Sequence, residues 1–434
     1  MTEQKLYAFL GETPVGEFTR STNGTIAFHY FDGYRWSDNP TPISLSMPLA
    51  QETHTGTVAA NFLDALVPES QHARLESQRM HHASTTDAFD LLQAIGFDAT
   101  GALRLSSSLD LPVENQSLLP IDDSAIAARL RAAAPTGIQP AGAKEHWSVA
   151  GQQGKIALRL HNDRWYTAEG TARTTHILKP GIPTLPDQAF DEHLTMRIAA
   201  HMGLRVANTT FRLFEGVPAI IIERYDRITN DNGDVIALHQ EDLTQAMGIP
   251  SSLKYEEHNG PTSERYAAMI RRHGLNGEGE ANIRAFVDGI LVSYLLGATD
   301  SHAKNYSLLL KGDSVRMAPL YDLASIYPYL GHGSIGASTT LAMNIGGRRN
   351  LLQLRRKHLE RFASRMGLPA EDVLHRFATL TRRMPDAFER AVAEQQAIDG
   401  SYASTVGATL IDDYRKRLLM TYDDAMHWLT ESAP

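Results

Sequence analysis

Ala298-Thr299-Asp300-Ser301-His302-Ala303-Lys304-Asn305 lies between a long helical pattern and two strand-like runs, and the reading of those flanks decides the fold. Upstream, Ile283, Phe286, Val287, Ile290, Leu291, Tyr294 and Leu295 recur at i, i+3, i+4, i+7, the stripe of a buried helix, and Gly297 supplies its stop. Downstream, residues 306–311 and 315–320 read as strands joined by a Gly312-Asp313 turn, so the chain goes out and comes back. With a two-residue loop Lys311 faces Ser314; counting on, Asn305 faces Leu320, and Asp322 lies beside Asn305 and near Asp300. Two carboxylates and a carboxamide at the open end of a hairpin offer hard oxygen donors that only partly enclose an ion, which suits Mg²⁺ held jointly with phosphates. Phosphoryl transfer needs this division of labour: Asp300 as the base that orients or deprotonates a hydroxyl, Asn305 and Asp322 as metal ligands. Taken singly, each has a plainer reading, with Asp300 capping a turn, Asn305 opening a strand and Asp322 capping the next helix. Their arrival together favours the site.

The rest of the chain sets the context. With 434 residues, 42% hydrophobic and 21% charged, it can bury one large core or two to three smaller ones. No run of about eighteen apolar residues occurs, and the opening MTEQKLYAFL has one lysine and no signal-peptide pattern, so a cytoplasmic protein is expected. The absence of cysteine excludes disulfides and thiolate catalysis and leaves oxygen or imidazole for any metal. A net charge of -9 argues against non-specific coating of nucleic acid while leaving room for a local basic patch.

Residues 5–10 and 25–30 read as strands, with turns at Gly11, Asn23-Gly24 and Asp32-Gly33, and helical patterns follow over 58–66 and 88–95. Periodicity is lost across Ser106-Ser107-Ser108 and 111–120, which closes a β-rich module at 1–115. A mixed module over 116–235 has strand patterns at 155–160, 174–178 and 218–223, with one helix between the last two. From 236 to 434 the pattern is helical apart from the hairpin near residue 310 and a Gly-rich stretch over 331–347.

The middle module carries residues suited to a nucleotide. Lys179 ends a strand pattern, and a compact ammonium on a long stem reaches between α and β phosphates; a solvated surface lysine is the plainer alternative. Glu192, on a helix over 188–202, is a partner for it of the kind protein kinases use. Glu223-Arg224-Tyr225 follows a strand and reads as a hinge whose backbone would bond adenine, or simply as a strand end. Ser148-Val149-Ala150-Gly151-Gln152-Gln153-Gly154-Lys155 reads as a loop whose glycines let backbone N–H groups approach phosphate. It is not a Walker A sequence, because Gly151 and Gly154 are too close and Ile156 stands where that motif needs Ser or Thr. A flexible surface turn is the alternative.

Asp300-Ser301-His302-Ala303-Lys304-Asn305 followed by Leu320-Tyr321-Asp322 resembles the catalytic and metal-binding segments of HipA-type kinases, and the D-x-H-x-x-N spacing also resembles phosphoinositide-type kinases. The HipA likeness runs on through Ser44-Leu45-Ser46-Met47-Pro48-Leu49, Phe89-Asp90-Leu91-Leu92, Trp147-Ser148-Val149-Ala150-Gly151 and Thr174-Thr175-His176-Ile177-Leu178-Lys179. Gln240-Glu241-Asp242, Gly248-Ile249-Pro250-Ser251-Ser252 and Lys254-Tyr255-Glu256 continue it, nearly end to end and in the family's order. The resemblance implies an α+β, two-lobed kinase-like fold, with a β-rich N-terminal module, an N-lobe over 116–235 and a mostly helical C-lobe over 236–434. It implies ATP and Mg²⁺ as cofactors, Asp300 as catalytic base, Asn305 and Asp322 on the metal, and Lys179, Val149, Ala150, Gly151, Gln152, Gln153, Lys155, Glu223, Tyr225, His302 and Lys304 at the nucleotide. It further implies autophosphorylation at Ser148 that disables the loop, although Gln153-Gly154-Lys155-Ile156 departs from the family's Gln-Glu-Lys-Thr.

As partners the resemblance implies a HipB-like helix-turn-helix antitoxin on operator DNA, and as protein substrate an aminoacyl-tRNA synthetase, glutamyl-tRNA synthetase first, with growth arrest as the outcome. The run Arg348, Arg349, Arg355, Arg356, Lys357, Arg361 and Arg365 against Glu360 could meet DNA phosphate, Arg355, Arg356 and Lys357 above all, or be a solvated helix face. A small-molecule or lipid kinase with the same chemistry, and a catalytically silent corepressor, are the two alternative functions.

Overall fold

Gln4–Leu10 and Thr13–Arg20 fold back on each other about Gly11, whose φ of +66° only glycine adopts freely. Ile26–Tyr30, Thr53–His54 and Leu103–Ser106 complete a five-stranded antiparallel sheet in the order Thr53–His54, Ile26–Tyr30, Thr13–Arg20, Gln4–Leu10, Leu103–Ser106. Alternate residues Leu6, Ala8, Phe18, Phe28 and Tyr30 point to one face, where Phe62 and Leu63 of the helix Thr57–Asp64 and Phe89 and Leu92 of Ala88–Ile95 cover them. Each such fully buried aromatic or leucine stabilises the module by about 1.5–3 kcal/mol. A Cβ at Gly16 would stand 2.2 Å from the His29 carbonyl oxygen, so only glycine lets these two strands approach.

The computed structural model describes residues 4–111, 116–134, 144–274, 277–330, 339–404 and 406–430. They form two compact units: Met1–Pro180 with Arg212–Ser252 and Ser307–Ala318, and Gly181–Phe211 with Leu253–Tyr306 and Pro319–Pro434.

Besides the first sheet, the first unit holds a six-stranded sheet whose order is Thr209–Phe214, of which residues 212–214 lie in this unit, then Val217–Glu223, His176–Lys179, Ile156–His161, Arg164–Glu169 and Ser117–Pro120. Ile156, Leu158, Leu178, Ala219 and Ile221 pack with Ile126 and Leu130 of the helix Asp123–Ala133. The strands expected over 155–160, 174–178 and 218–223 are present within two residues, while Thr13–Arg20, Arg164–Glu169 and Thr209–Phe214 are additions. Asp32–Arg35 is a helical turn rather than a β-turn, and the strand Ser117–Pro120 falls where periodicity had been read as lost.

A third sheet corrects the helical reading beyond residue 236. His239–Asp242 is a strand that pairs with Ser307–Lys311, which in turn pairs with Ser314–Met317 in the expected register, Lys311 opposite Ser314. All four of its side chains are polar and all are buried. Each has a partner: His239 Nε2 with the Ile43 carbonyl, Gln240 donating to Asp226, Glu241 accepting from Ser44 Oγ and Leu45 N, and Asp242 capping Leu243–Ala246. Burial pushes the Glu241 carboxyl up to about 8 from 4.5, against the two donors that favour its charged form. Because the folded value is raised, the stability it contributes is complete below about pH 4.5 and is lost as pH rises to about 8, at up to about 1.4 kcal/mol per pH unit. Glu241→Gln, which cannot ionise, is therefore expected to flatten the dependence of the urea midpoint on pH between 5 and 8. Parallel curves for the two proteins would remove Glu241 from this role.

A buried ion network lies where residues 98–104, 171–174 and 224–227 meet in the same unit. Arg227 bonds Asp98 at 2.8 Å and Asp226 at 3.0 Å, Arg224 bonds Asp226 at 3.1 Å and Asp98 at 3.3 Å, and Thr174 donates to Asp98 through both N and Oγ1. These arginines outweigh the cost of burial and hold Asp98 far below the ordinary carboxylate range and Asp226 down at about 2.

The second unit is mainly helical: Gln188–His201, Ser263–His273, Glu278–Leu295, Arg356–Met366, Ala370–Ser404 and Val406–Thr430. The last two are joined by ring contacts of Phe377 with Trp428 (5.2 Å) and Phe388 with Tyr414 (5.4 Å), and Tyr414 Oη also reaches Thr195 Oγ1 at 3.1 Å. Arg376 grips Asp288 with two 2.7 Å bonds, fixing Ala370–Ser404 against Glu278–Leu295. Of the Gly-rich stretch 331–347, residues 331–338 lie outside the described residues, and the remainder is non-helical as expected, with Thr340–Ile345 a strand that pairs with Arg348–Asn350. No helix among the described residues is long and apolar enough to cross a membrane.

Candidate active site

The helix Glu278–Leu295 brings the chain to the site and is itself fixed from below. A Cβ at Gly289 would stand 2.7 Å from the Tyr306 ring and 2.9 Å from Leu320, so the residue after Asn305 packs directly on the helix backbone. The helix stops as expected at Gly297, where φ is +67° and a Cβ would meet the Tyr327 ring at 2.6 Å. The next residues form a tight loop: His302 N donates to the Asp300 carbonyl at 2.7 Å and Asn305 N to the His302 carbonyl at 2.9 Å. Ser293 Oγ donates to Ser301 Oγ, and Ser301 Oγ to the Ala298 carbonyl, so Ser301 holds the loop to the last turns of the helix.

This loop sorts its side chains. Ser301, His302, Lys304 and Asn305 are buried, whereas the Asp300 side chain is exposed and accepts a 2.7 Å hydrogen bond from the Tyr255 hydroxyl. Asn305 Nδ2 donates to the Asp300 carbonyl at 3.0 Å, which leaves Oδ1 as the acceptor end of that carboxamide. The hairpin ladder runs to Leu308 opposite Met317, Ala318 N still donates to the Ser307 carbonyl at 2.8 Å, and among the described residues no backbone bond joins Asn305 to Leu320, which the register count set opposite each other. Asn305 lies in the short turn Ala303–Asn305, and Leu320 instead exchanges backbone bonds with Arg205 and Ala207. The ladder breaks because two competing sets of partners claim its end. What ties the two segments is Tyr321, whose hydroxyl donates to the Lys304 carbonyl at 2.6 Å. Asp322 follows with φ +59°, a left-handed conformation that Asp tolerates better than most residues.

The donor set fits Mg²⁺ in kind: one carboxamide oxygen and one carboxylate, with no nitrogen or sulfur. Among the described residues no cluster of three His, Cys, Asp or Glu could cage an ion, so a cation here would complete its shell with phosphate and water oxygens.

In the first unit, Lys179 is the last residue of its strand, is buried, and pairs through its backbone with Ile220. Glu223 is exposed at the end of Val217–Glu223, while the Tyr225 hydroxyl donates to Gln240 and Arg224 is committed to the ion network. The loop at 147–155 is stitched to the first hundred residues rather than lying free on the surface. Ser148 is fully buried, its hydroxyl donating to the Leu66 carbonyl at 2.6 Å and its N–H to the Asp98 carbonyl at 3.1 Å. Gly151 bridges to Pro68, Gln152 donates to Glu69, and Lys155 Nζ donates back to the Ala150 carbonyl at 2.6 Å. Val149, Ala150 and Gln153 are half-buried along the same loop.

The basic run proves to be divided. Arg349 pairs with Glu257, Arg356 with Glu360 and Arg365 with Glu264, and Arg355 donates to the Leu352 and Leu354 carbonyls. Only its part from Arg356 onward is α-helical, so helical spacing does not array the whole run on one face. Arg355 and Lys357 are exposed. The residues that sequence reasoning gave no role, Tyr255 and Tyr321, are the ones that tether Asp300 and Lys304; both stand in motifs of the family resemblance, Lys254-Tyr255-Glu256 and Leu320-Tyr321-Asp322, and nothing in composition singled out either.

Comparison with known proteins bears on the class first. The family model for the HipA-like C-terminal domain matches residues 147–388, and that for the HipA N-terminal domain matches residues 6–106. The chain belongs to the HipA family of kinase toxins. A Sinorhizobium fredii protein named as a candidate kinase is 32% identical over 402 residues, 91% of this chain and 93% of its own. The serine/threonine-protein kinase toxin HipA of Shewanella oneidensis is 29% identical over 410 residues, 92% and 91% of the two chains. The HipA chain in the Shewanella oneidensis complex of HipA, HipB and operator DNA superposes with a TM-score of 0.85 at 26% identity, covering 98% of each chain. The mixed α+β, kinase-like fold expected from the sequence is the fold found.

Proposed function

We propose that this protein is an ATP- and Mg²⁺-dependent serine/threonine protein kinase that acts as a growth-arresting toxin. The observation that carries it is the loop 300–305 of a HipA-family chain, in which the buried Asn305 carboxamide is tied to the backbone carbonyl of residue 300 and the Asp300 carboxylate stands exposed. Asp300 orients the acceptor hydroxyl and takes its proton; Asn305 Oδ1 and the Asp322 carboxylate would hold the metal. Bound with the nucleotide, Mg²⁺ supplies neutralisation of charge on the phosphate oxygens. Lys179 binds α and β phosphates, Val149 to Gln153 and Lys155 cover them, and Glu223, Tyr225, His302 and Lys304 complete the nucleotide contacts. The acceptor is a protein hydroxyl, with glutamyl-tRNA synthetase the first aminoacyl-tRNA synthetase to try. The partners are a HipB-like antitoxin and, through it, operator DNA, for which Arg355 and Lys357 are better placed than the paired Arg356. This activity places the protein in the cytoplasm.

Ser148 gives the proposal its regulatory part. Its hydroxyl is buried against Leu66, so phosphorylation requires the loop to leave residues 66–69 first. The added group, with about -1.5 to -2 charges, cannot return to a slot walled by a carbonyl oxygen. Incubation with γ-labelled ATP and Mg²⁺ is expected to put one phosphate on Ser148, in wild type but not in the Asp300→Asn variant, and the product is expected to bind ATP poorly. Phosphorylated protein that binds ATP as well as unmodified protein would sink the switch; no transfer from ATP to Ser148, synthetase or any extract protein would sink the kinase.

A further inference from the structure

Asp300 is exposed, and among the described residues its side chain has one hydrogen-bond partner, the Tyr255 hydroxyl at 2.7 Å. An exposed aspartate otherwise samples several rotamers, and a base is effective only when one oxygen stays in line with the acceptor hydroxyl. Tyr255 is held from several sides. Its ring meets His302 edge-on at 4.9 Å and His258 at 5.4 Å, and Lys254 Nζ lies 5.4 Å from the ring centroid. The backbone beside it is joined to the catalytic loop, Ala303 N donating to the Lys254 carbonyl at 3.2 Å. On its other side Glu256 accepts from both N and Nδ2 of Asn344, at 2.8 Å and 2.6 Å, anchoring the segment to the strand Thr340–Ile345. A phenol fixed this firmly serves little purpose in stability, since the bond it makes is to an exposed group whose loss water would replace.

We propose that Tyr255 is a positioning residue for the phosphoryl-transfer base: its hydroxyl pins Oδ1 of Asp300 so that Oδ2 faces the acceptor. The inference rests on the reading of Asp300 as that base and adds the group that aims it. Because Tyr255 acts through Asp300, its contribution exists only while Asp300 is present, and it concerns turnover rather than the binding of nucleotide or metal.

The test is a double-mutant cycle on the full chain, with Mg²⁺-ATP turnover read as ADP formation, which counts transfer to any hydroxyl. Tyr255→Phe keeps the ring and its contacts with His302 and His258, so the thermal midpoint should stay within about a degree of wild type. Its kcat is expected to fall about tenfold or more, with KM for ATP and the Mg²⁺ midpoint unchanged within about twofold. In the Asp300→Asn background the same change should have no further effect. An unaltered kcat in Tyr255→Phe, with Asp300→Asn strongly impaired, overturns the positioning role alone. Equal losses from Tyr255→Phe in both backgrounds also overturn it, because the phenol then acts independently of Asp300. Wild-type turnover in Asp300→Asn, or none in the wild-type chain, fails the underlying reading of the site and takes this inference with it.

Discussion

Asp300→Asn is expected to lower phosphotransfer at least about a hundredfold, equivalent to about 2.7 kcal/mol of barrier, while leaving the fold and KM for ATP unchanged. The side chain is exposed and the asparagine carboxamide keeps an oxygen for the Tyr255 hydroxyl, so shape is conserved and only proton acceptance is lost. The Asn305 amide is bonded to the backbone carbonyl of residue 300, not to its side chain, and stays in place. Initial rates with labelled ATP, beside a circular-dichroism melt, measure both halves. A folded variant that turns over within a few-fold of wild type would take Asp300 out of the mechanism.

Arg227→Met is expected to cost about 3–5 kcal/mol of stability. Methionine conserves much of the volume but removes the cation that bonds both Asp98 and Asp226, each nearly fully buried. Arg224 would remain, at 3.3 Å from Asp98 and 3.1 Å from Asp226. The same network sets the acid limit. Both carboxyls titrate below their unfolded value of 3.8, so their contribution is complete above about pH 4 and is lost as pH falls towards 2. Urea unfolding of wild type and variant at neutral pH measures the loss directly, and a difference under about 1 kcal/mol would show that the network is dispensable.

The catalytic stretch was legible because its signals are local. The periodic helix, its glycine stop, the Gly312-Asp313 turn and the Lys311–Ser314 register follow from spacing alone, and the structure has each of them. The count stops holding two residues past the Ser307–Ala318 bond, where Leu320 bonds instead to Arg205 and Ala207, residues more than a hundred positions away that no pattern near the hairpin reveals. His239–Asp242 escaped for a related reason. Hydrophobic periodicity finds strands that bury apolar side chains, and this one buries a histidine, a glutamine, a glutamate and an aspartate whose partners stand as far off as Ser44. The motifs Ser44-Leu45-Ser46 and Gln240-Glu241-Asp242 were visible separately; that they are two halves of one hydrogen-bonded joint was not. Likewise Ser148 looked like the lip of an open loop, because the Leu66 carbonyl that buries it has no sequence signature at all.

That seam between residues 147–152 and residues 66–69 and 98 bears on how such chains can be inherited. A crossover between two relatives anywhere from residue 107 to 146 looks harmless in an alignment, since it falls between the segments matched by the two family models. In the folded chain it would hand one parent's loop to the other parent's carbonyls and carboxylates. Shuffled genes cut there would keep the backbone partners at residues 66, 68 and 98, which any residue supplies, and would put at risk the side-chain pair across the seam, Gln152 with Glu69.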